Sequence, residues 1–217
     1  MENRAESTAL AGCQLYLISP PAIDDGFAQR LKTALSAGPV AAFQLRLKGI
    51  SEDEIARLAE PLQRICAEHD TAFIINDSMA LAKRLGADGV HLGQGDGDAK
   101  AARALLGPSV QIGVTCHNSR HLAMEAGEMG ADYVAFGAFY ETGTKQVEFI
   151  AEMEILTWWN GLFELPCVAI GGITPVTAPE LASAGADFVA VSGAVWNDAM
   201  GEAAAIRAFA NSLNLNG

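Results

Sequence analysis

The regular alternation of short apolar runs with longer amphipathic ones constrains this chain more than any other feature. The apolar runs are LYLIS (15–19), VAAFQLRLK (40–48), AFIIND (72–77), GVHLG (89–93), VQIGVTC (110–116), YVAFG (133–137), CVAIGG (167–172) and FVAVSG (188–193). Each is of strand length and rich in Val, Ile or Phe. Between them lie helical candidates. The clearest runs from Ser51 to Glu68 and opens Ser-Glu-Asp-Glu, a capping serine followed by acidic residues in the first turn. Others begin near Asp24, Ser78, Asp98, Asn118, Ala151, Thr174 and Met200, and several end at a glycine: Gly86, Gly107, Gly130 and Gly185.

Eight strands with eight following helices predict an α/β chain folded as a (β/α)8 TIM barrel, a single domain with short loops. The alternative is a doubly wound parallel sheet, which normally has fewer strands. At 217 residues there is no room for an inserted domain. Residues 1–12 read as an N-terminal extension and 13–213 as the barrel.

Composition narrows the function classes. Half the residues are apolar, which excludes a disordered chain. Lys and Arg number 14 against 26 Asp and Glu, a formal net charge of −12. That balance argues against a nucleic-acid partner and against adhesion to anionic membrane. No apolar stretch is long enough to span a bilayer, and MENRAESTAL has no apolar run of signal-peptide type. The expected location is therefore the cytoplasm. The four cysteines, Cys13, Cys66, Cys116 and Cys167, lie far apart and read as free, mostly buried thiols.

Three segments echo one another: Gly86-Ala-Asp-Gly-Val, Gly130-Ala-Asp-Tyr-Val and Gly185-Ala-Asp-Phe-Val. Each precedes an even-numbered strand. Their aspartates, Asp88, Asp132 and Asp187, stand at strand entries, the face of a barrel that serves stability, so a structural role is expected.

Barrel chemistry belongs at the carboxyl ends of the strands. On the second strand Gln44, Arg46 and Lys48 share one face, and Leu45 and Leu47 the other. Two cations near the mouth call for an anionic partner, either barrel carboxylates or a ligand. Asp77 and Asp96 fall at the ends of adjacent strands; such a pair suits Mg²⁺ completed by phosphate oxygens and water, or else a helix cap and a turn. His117, after Val114-Thr115-Cys116, is a candidate acid or base, or a satisfied histidine beside a helix start. His121 follows four residues later, with no third metal ligand in view. Cys116 and His117 point to opposite faces and make no dyad. Tyr140-Glu141-Thr142-Gly143-Thr144-Lys145 reads as a phosphate cradle or an ordinary turn. Gly171-Gly172-Ile173 and Val191-Ser192-Gly193 close the seventh and eighth strands, where barrels often hold a phosphate. Two anion sites across one mouth point to two phosphorylated ligands brought together, with pyrophosphate as a leaving group.

These segments together resemble the thiamine phosphate synthase family over about residues 13–213. The carriers are Gln44-Leu-Arg46-Leu-Lys48, Ile75-Asn-Asp77, Gly86 to Asp96, Ile112-Gly-Val-Thr-Cys-His117, Thr142-Gly-Thr-Lys145, Ala169-Ile-Gly-Gly-Ile173 and Val191-Ser192. The resemblance implies a transferase that joins 4-amino-2-methyl-5-hydroxymethylpyrimidine diphosphate to 4-methyl-5-hydroxyethylthiazole phosphate, or its 2-carboxy form. The products are thiamine phosphate and pyrophosphate, by a dissociative, Mg²⁺-dependent route.

By motif position, the resemblance assigns Gln44 to the pyrimidine; Arg46, Lys48, Asn76 and Lys145 to the pyrophosphate; and Asp77 and Asp96 to Mg²⁺. Thr115, where the family commonly has Ser, bonds ligand through its hydroxyl. Thr142 and Thr144 flank the thiazole phosphate, with Gly171, Gly172, Val191 and Ser192 completing its site. Arg46, Lys48, Lys145 and Thr115 would be catalytic. Glu141 stands where the family usually has Pro and is expected to point outward, since a carboxylate would repel phosphate. Phe136-Gly-Ala-Phe139-Tyr140 replaces a Gly-Pro-rich segment. Two other readings are a thiazole tautomerase of the related barrel family and a non-catalytic paralogue that binds a thiamine precursor. A homo-oligomer that covers an apolar helical face stays open.

Overall fold

In the computed structural model of the protein, residues 12–141 and 149–215 are described. Thr142, Thr144 and Lys145 lie outside the described residues, as does nearly all of the 1–12 extension. The strands are β1 (Gln14–Ile18), β2 (Ala42–Leu45), β3 (Ala72–Asn76), β4 (Gly89–Leu92), β5 (Gln111–His117), β6 (Tyr133–Gly137), β7 (Cys167–Ile170) and β8 (Phe188–Val191). All neighbours are parallel, and β8 pairs with β1 to close the barrel. The helices are α1 (Phe27–Leu35), α2 (Glu52–Glu68), α3 (Met79–Leu85), α4 (Ala99–Leu106), α5 (Arg120–Glu128), α6 (Glu154–Leu162), α7 (Ala178–Ser183), α8 (Gly193–Trp196) and α9 (Glu202–Ser212). The (β/α)8 reading therefore holds, with one addition. The single turn α8 follows β8 directly and is too short to leave a 3.6-residue period.

Helix starts follow their caps. Ser51, Ser78, Asp98 and Ser119 each accept a backbone N–H through the side chain at the head of α2, α3, α4 and α5. Gly86 closes α3 in the left-handed conformation that a Cβ disfavours (φ 59°). The expected second strand was too long at both ends: β2 pairs only over Ala42–Leu45. The side-chain alternation nonetheless runs on past it, because Leu47 is buried while Arg46 and Lys48 line the mouth.

Alternation sorts the strands into two layers. Leu15, Leu17, Phe43, Leu45, Phe73, Val90, Val134 and Phe136 face outward into the layer packed against the helices. Tyr16, Ile18, Ala42, Ile74, Tyr133, Ala135, Val168 and Ala190 fill the barrel interior. The interior is crowded enough to dictate glycine at Gly113, since a Cβ there would run into the Tyr133 ring. Among the described residues no helix is long and apolar enough to cross a membrane.

The three echoed aspartates form one device used three times. Each clasps the start of the preceding strand from both sides. The Asp88 carboxylate accepts the N–H of Phe73 at 2.7 Å, and the Asp88 N–H donates to the Phe73 carbonyl at 3.0 Å. Asp132 does the same with Ile112 (2.7 and 2.7 Å), and Asp187 with Cys167 (2.8 and 3.0 Å). Asp132 also pairs with Arg103 at 2.6 Å. These carboxylates satisfy orphan donors at the amino end of the barrel, as their position at strand entries predicts.

Candidate active site

A cavity of about 810 Å³ opens at the carboxyl end of the strands. Every described residue assigned to the site from sequence lines it. Gln44, Arg46 and Lys48 come from β2 and its extension, Asn76 and Asp77 from β3, and Asp96 from the loop after β4. Thr115 comes from β5, and Gly171, Gly172, Val191 and Ser192 from the ends of β7 and β8. Val191 belongs to the outer apolar layer, so it borders the cavity chiefly through its backbone. His117 also lines the cavity, with its ring 4.6 Å from Phe149. His121 does not join it: it sits exposed on α5, 3.4 Å from Glu125. The Cys116 thiol is buried and pushed up to about 12 by that burial, which leaves it inert as a nucleophile. Glu141 is exposed at the rim.

On one side of the mouth the charged groups are arranged around a carboxylate pair. Lys48 Nζ lies 2.7 Å from Asp77 Oδ2. Asp77 is not the cap of α3; Ser78 is. Asp77 instead holds a left-handed backbone (φ 67°), a conformation Asp tolerates better than most residues. Asp96 has the turn role its sequence allowed. One oxygen accepts the Gly93 N–H at 2.9 Å and closes the turn. Its carboxyl is nonetheless pushed up, first by burial and then by the neighbouring Asp77 charge. Two neighbouring carboxylates, one of them already drawing the Lys48 ammonium, are a donor set short of positive charge. They fit Mg²⁺, which binds through one or two carboxylates and keeps positions for phosphate oxygens and water. Among the described residues no group of three or more His, Cys, Asp or Glu converges, so ligands from outside the protein would complete such an ion's shell.

Across the mouth the surface is backbone-rich. Gly171 and Gly172 both have left-handed φ (106° and 63°). A Cβ on Gly172 would strike the Glu141 carbonyl and come within 2.8 Å of the Tyr140 Cβ, so only glycine fits there. Ser192 donates its hydroxyl to the Ser19 carbonyl at 3.2 Å and heads α8.

Beneath the mouth runs a polar network that the sequence did not disclose. Gln44 Nε2 donates to the Tyr16 hydroxyl at 2.9 Å, and Tyr16 and Tyr133 share a hydrogen bond at 3.0 Å. His91 Nδ1 lies 3.1 Å from the Tyr133 hydroxyl and its Nε2 2.8 Å from Thr115 Oγ1. Burial drives the His91 pKa down to about 4 and the Tyr16 pKa up to about 12, and raises that of Tyr133 well above its ordinary value. His91 is thus neutral at pH 7, with one donor and one acceptor nitrogen. It can give one hydrogen bond and take the other, which orients the Thr115 hydroxyl at the cavity floor.

Comparison with known proteins places the chain in a family. Residues 15–195 match the thiamine monophosphate synthase family. The chain is 63% identical over 204 residues to the thiamine-phosphate synthase of Erythrobacter litoralis, a match covering 92% of this chain and 95% of that one. It is 56% identical over 201 residues to the thiamine-phosphate synthase of Rhodospirillum centenum, covering 92% and 97%. The solved thiamine phosphate pyrophosphorylase of Pyrococcus furiosus superposes with a TM-score of 0.81 at 28% identity, over 93% of this chain and 95% of that one. By sequence and by fold, the chain belongs to the thiamine monophosphate synthase family.

Proposed function

We propose that the barrel mouth joins 4-amino-2-methyl-5-hydroxymethylpyrimidine diphosphate to 4-methyl-5-hydroxyethylthiazole phosphate, or its 2-carboxy form. The observation that carries this reading is one cavity with two chemically unlike walls. Cations and a carboxylate pair stand on the β2–β4 side, and glycines and backbone on the β7–β8 side.

The reaction breaks the C–O bond between the pyrimidine methylene and the diphosphate, and the electron pair leaves with pyrophosphate. The thiazole nitrogen then supplies its lone pair to the methylene carbon. With the carboxylated thiazole, the carboxylate departs as CO₂, leaving its bonding pair on the ring carbon, which takes a proton from water. The departing group gains negative charge, so positive charge aimed at it lowers the barrier.

Arg46 and Lys48 supply that charge, with Asn76 as a neutral donor. Lys145 adds a further cation by family position. Asp77 and Asp96 would hold Mg²⁺, which when bound neutralises charge on the pyrophosphate. Gln44, fixed by Tyr16, faces the pyrimidine. Thr115, held by His91, presents its hydroxyl to ligand. Gly171, Gly172, Val191 and Ser192 hold the thiazole phosphate, with Thr142 and Thr144 on the same side. Four free, buried thiols among the described residues favour a cytoplasmic setting.

The test is incubation with both substrates and Mg²⁺, followed by analysis for thiamine phosphate and pyrophosphate. Isomerised carboxythiazole without thiamine phosphate would replace this reading with a tautomerase. Binding of a precursor without turnover would replace it with a binding protein.

A further inference from the structure

We propose that Arg30, on the outside of the barrel, is a positioning residue for the thiazole-phosphate wall, and that it works by bracing α8 through Trp196. The proposal rests on the reading above that the Ser192–Ala194 segment faces that phosphate.

This segment has little regular structure of its own. α8 is a single turn, and Ser192 before it has an irregular backbone (φ −138°, ψ −79°). Ser192, Gly193 and Ala194 line the cavity, whereas Val195 and Trp196 are buried behind it. One turn of helix contributes almost no stability of its own. Apart from its continuity with β8 and the Ser192–Ser19 hydrogen bond at its head, its place is set by what grips its far end.

That grip converges on Trp196. Its indole Nε1 donates to the Ile18 carbonyl at 2.6 Å, which ties α8 to the last residue of β1. Its ring lies 4.8 Å from the Phe27 ring on α1. Arg30, one turn further along α1, completes the hold. Its Nη2 donates to the Trp196 carbonyl at 2.8 Å, the last carbonyl of α8, and its guanidinium carbon stands 5.5 Å from the centre of the indole. A charge at the carboxyl end of a helix also complements its dipole. Arg30 Nε is 3.6 Å from Glu202 on α9, which keeps the guanidinium pointed at this junction. Arg30 itself touches nothing in the cavity; it acts through Trp196.

The experiment measures dissociation constants of the wild-type chain and of Arg30→Ala, Arg30→Lys and Trp196→Phe for three probes. These are thiazole phosphate, the same thiazole without its phosphate, and the pyrimidine diphosphate. The wild type should bind the phosphorylated thiazole more tightly than the alcohol. Arg30→Ala should lose about tenfold for the phosphorylated thiazole, the scale of one charge-assisted hydrogen bond, with the alcohol and the pyrimidine diphosphate changed less than about twofold. Arg30→Lys, which keeps the charge but not the planar fork, should recover part of the loss. Trp196→Phe should resemble Arg30→Ala.

If the wild type shows no preference for the phosphorylated thiazole, the wall is not a phosphate site and the underlying reading falls. If that preference exists but Arg30→Ala keeps it, or weakens all three probes alike, the bracing role is overturned. Arg30 is partly exposed, so the two Arg30 variants test positioning without emptying the core, and they decide the proposal.

Discussion

The ammonium of Lys48 and the carboxylate of Asp77 meet at 2.7 Å across the strand ends of the cavity, and both remain partly open to solvent. Each has an expected ligand of opposite sign: pyrophosphate for Lys48, a divalent cation for Asp77. Their pairing keeps both charges compensated until those ligands arrive.

Removing the cations should weaken use of the pyrimidine diphosphate. Arg46→Ala and Lys48→Ala are each expected to lower kcat/KM for that substrate by about 10- to 100-fold, the range for a charge-assisted contact. KM for the thiazole phosphate should move little. Steady-state kinetics with each substrate varied in turn would check this, and unchanged values would remove these residues from the anion site.

The carboxylate pair predicts a specific response to Mg²⁺. Thorough chelation should abolish turnover. Asp96→Asn should raise the Mg²⁺ concentration needed for half-maximal rate, because one anionic ligand is lost. A titration of rate against Mg²⁺ reads both. Turnover that survives chelation would leave Asp77 and Asp96 with only their turn and Lys48 contacts.

His91 makes stability depend on pH. Its pKa falls from 6.5 to about 4 on burial, so the folded state takes up a proton less readily than the unfolded chain. The stabilisation is complete above about pH 6.5 and declines as pH falls toward about 4, by roughly 3 kcal/mol in all. Urea unfolding at pH 7 and pH 4.5 should show the loss, and His91→Gln should flatten that part of the profile. An identical slope in the variant would assign the acid sensitivity to other groups.

Asp132→Ala should destabilise the barrel without touching the chemistry. It removes the acceptor of the Ile112 N–H and the partner of Arg103, for about 1–3 kcal/mol. Thermal unfolding should register the change while kcat and both KM values stay put. A loss of activity in a fully folded variant would return the echoed aspartates to the list of functional candidates.

Much of this was legible in the chain because a strand's period of two survives its local surroundings. Gln44, Arg46 and Lys48 share the cavity face even though the paired strand stops at Leu45. The role of Asp88, Asp132 and Asp187 followed from their place before strands. The interior network did not show itself. Tyr16 and Tyr133 count as apolar in a run of that kind, and they meet only because barrel closure brings β1 and β6 across the same interior. His91 had a detectable signal: it occupies an inward position between Val90 and Leu92, both of which face the helices. α8 was missed because four residues carry no periodicity, and the choice of Ser78 over Asp77 as a cap depends on backbone angles that composition does not fix.

The aspartate clasps divide the barrel into units. They join β3 to β4, β5 to β6 and β7 to β8, and none of the three crosses from β4 to β5 or from β6 to β7. The strand ladder is continuous across these boundaries, but the side-chain latches group the later strands in pairs, each latched at its base. The connections that no latch spans are α2, α4 and α6. A chain divided in α4 keeps every latch, whereas one divided in α3 separates Asp88 from Phe73. The first pair of fragments should reassemble in higher yield than the second, and equal yields would mean that the latches play no part in assembly.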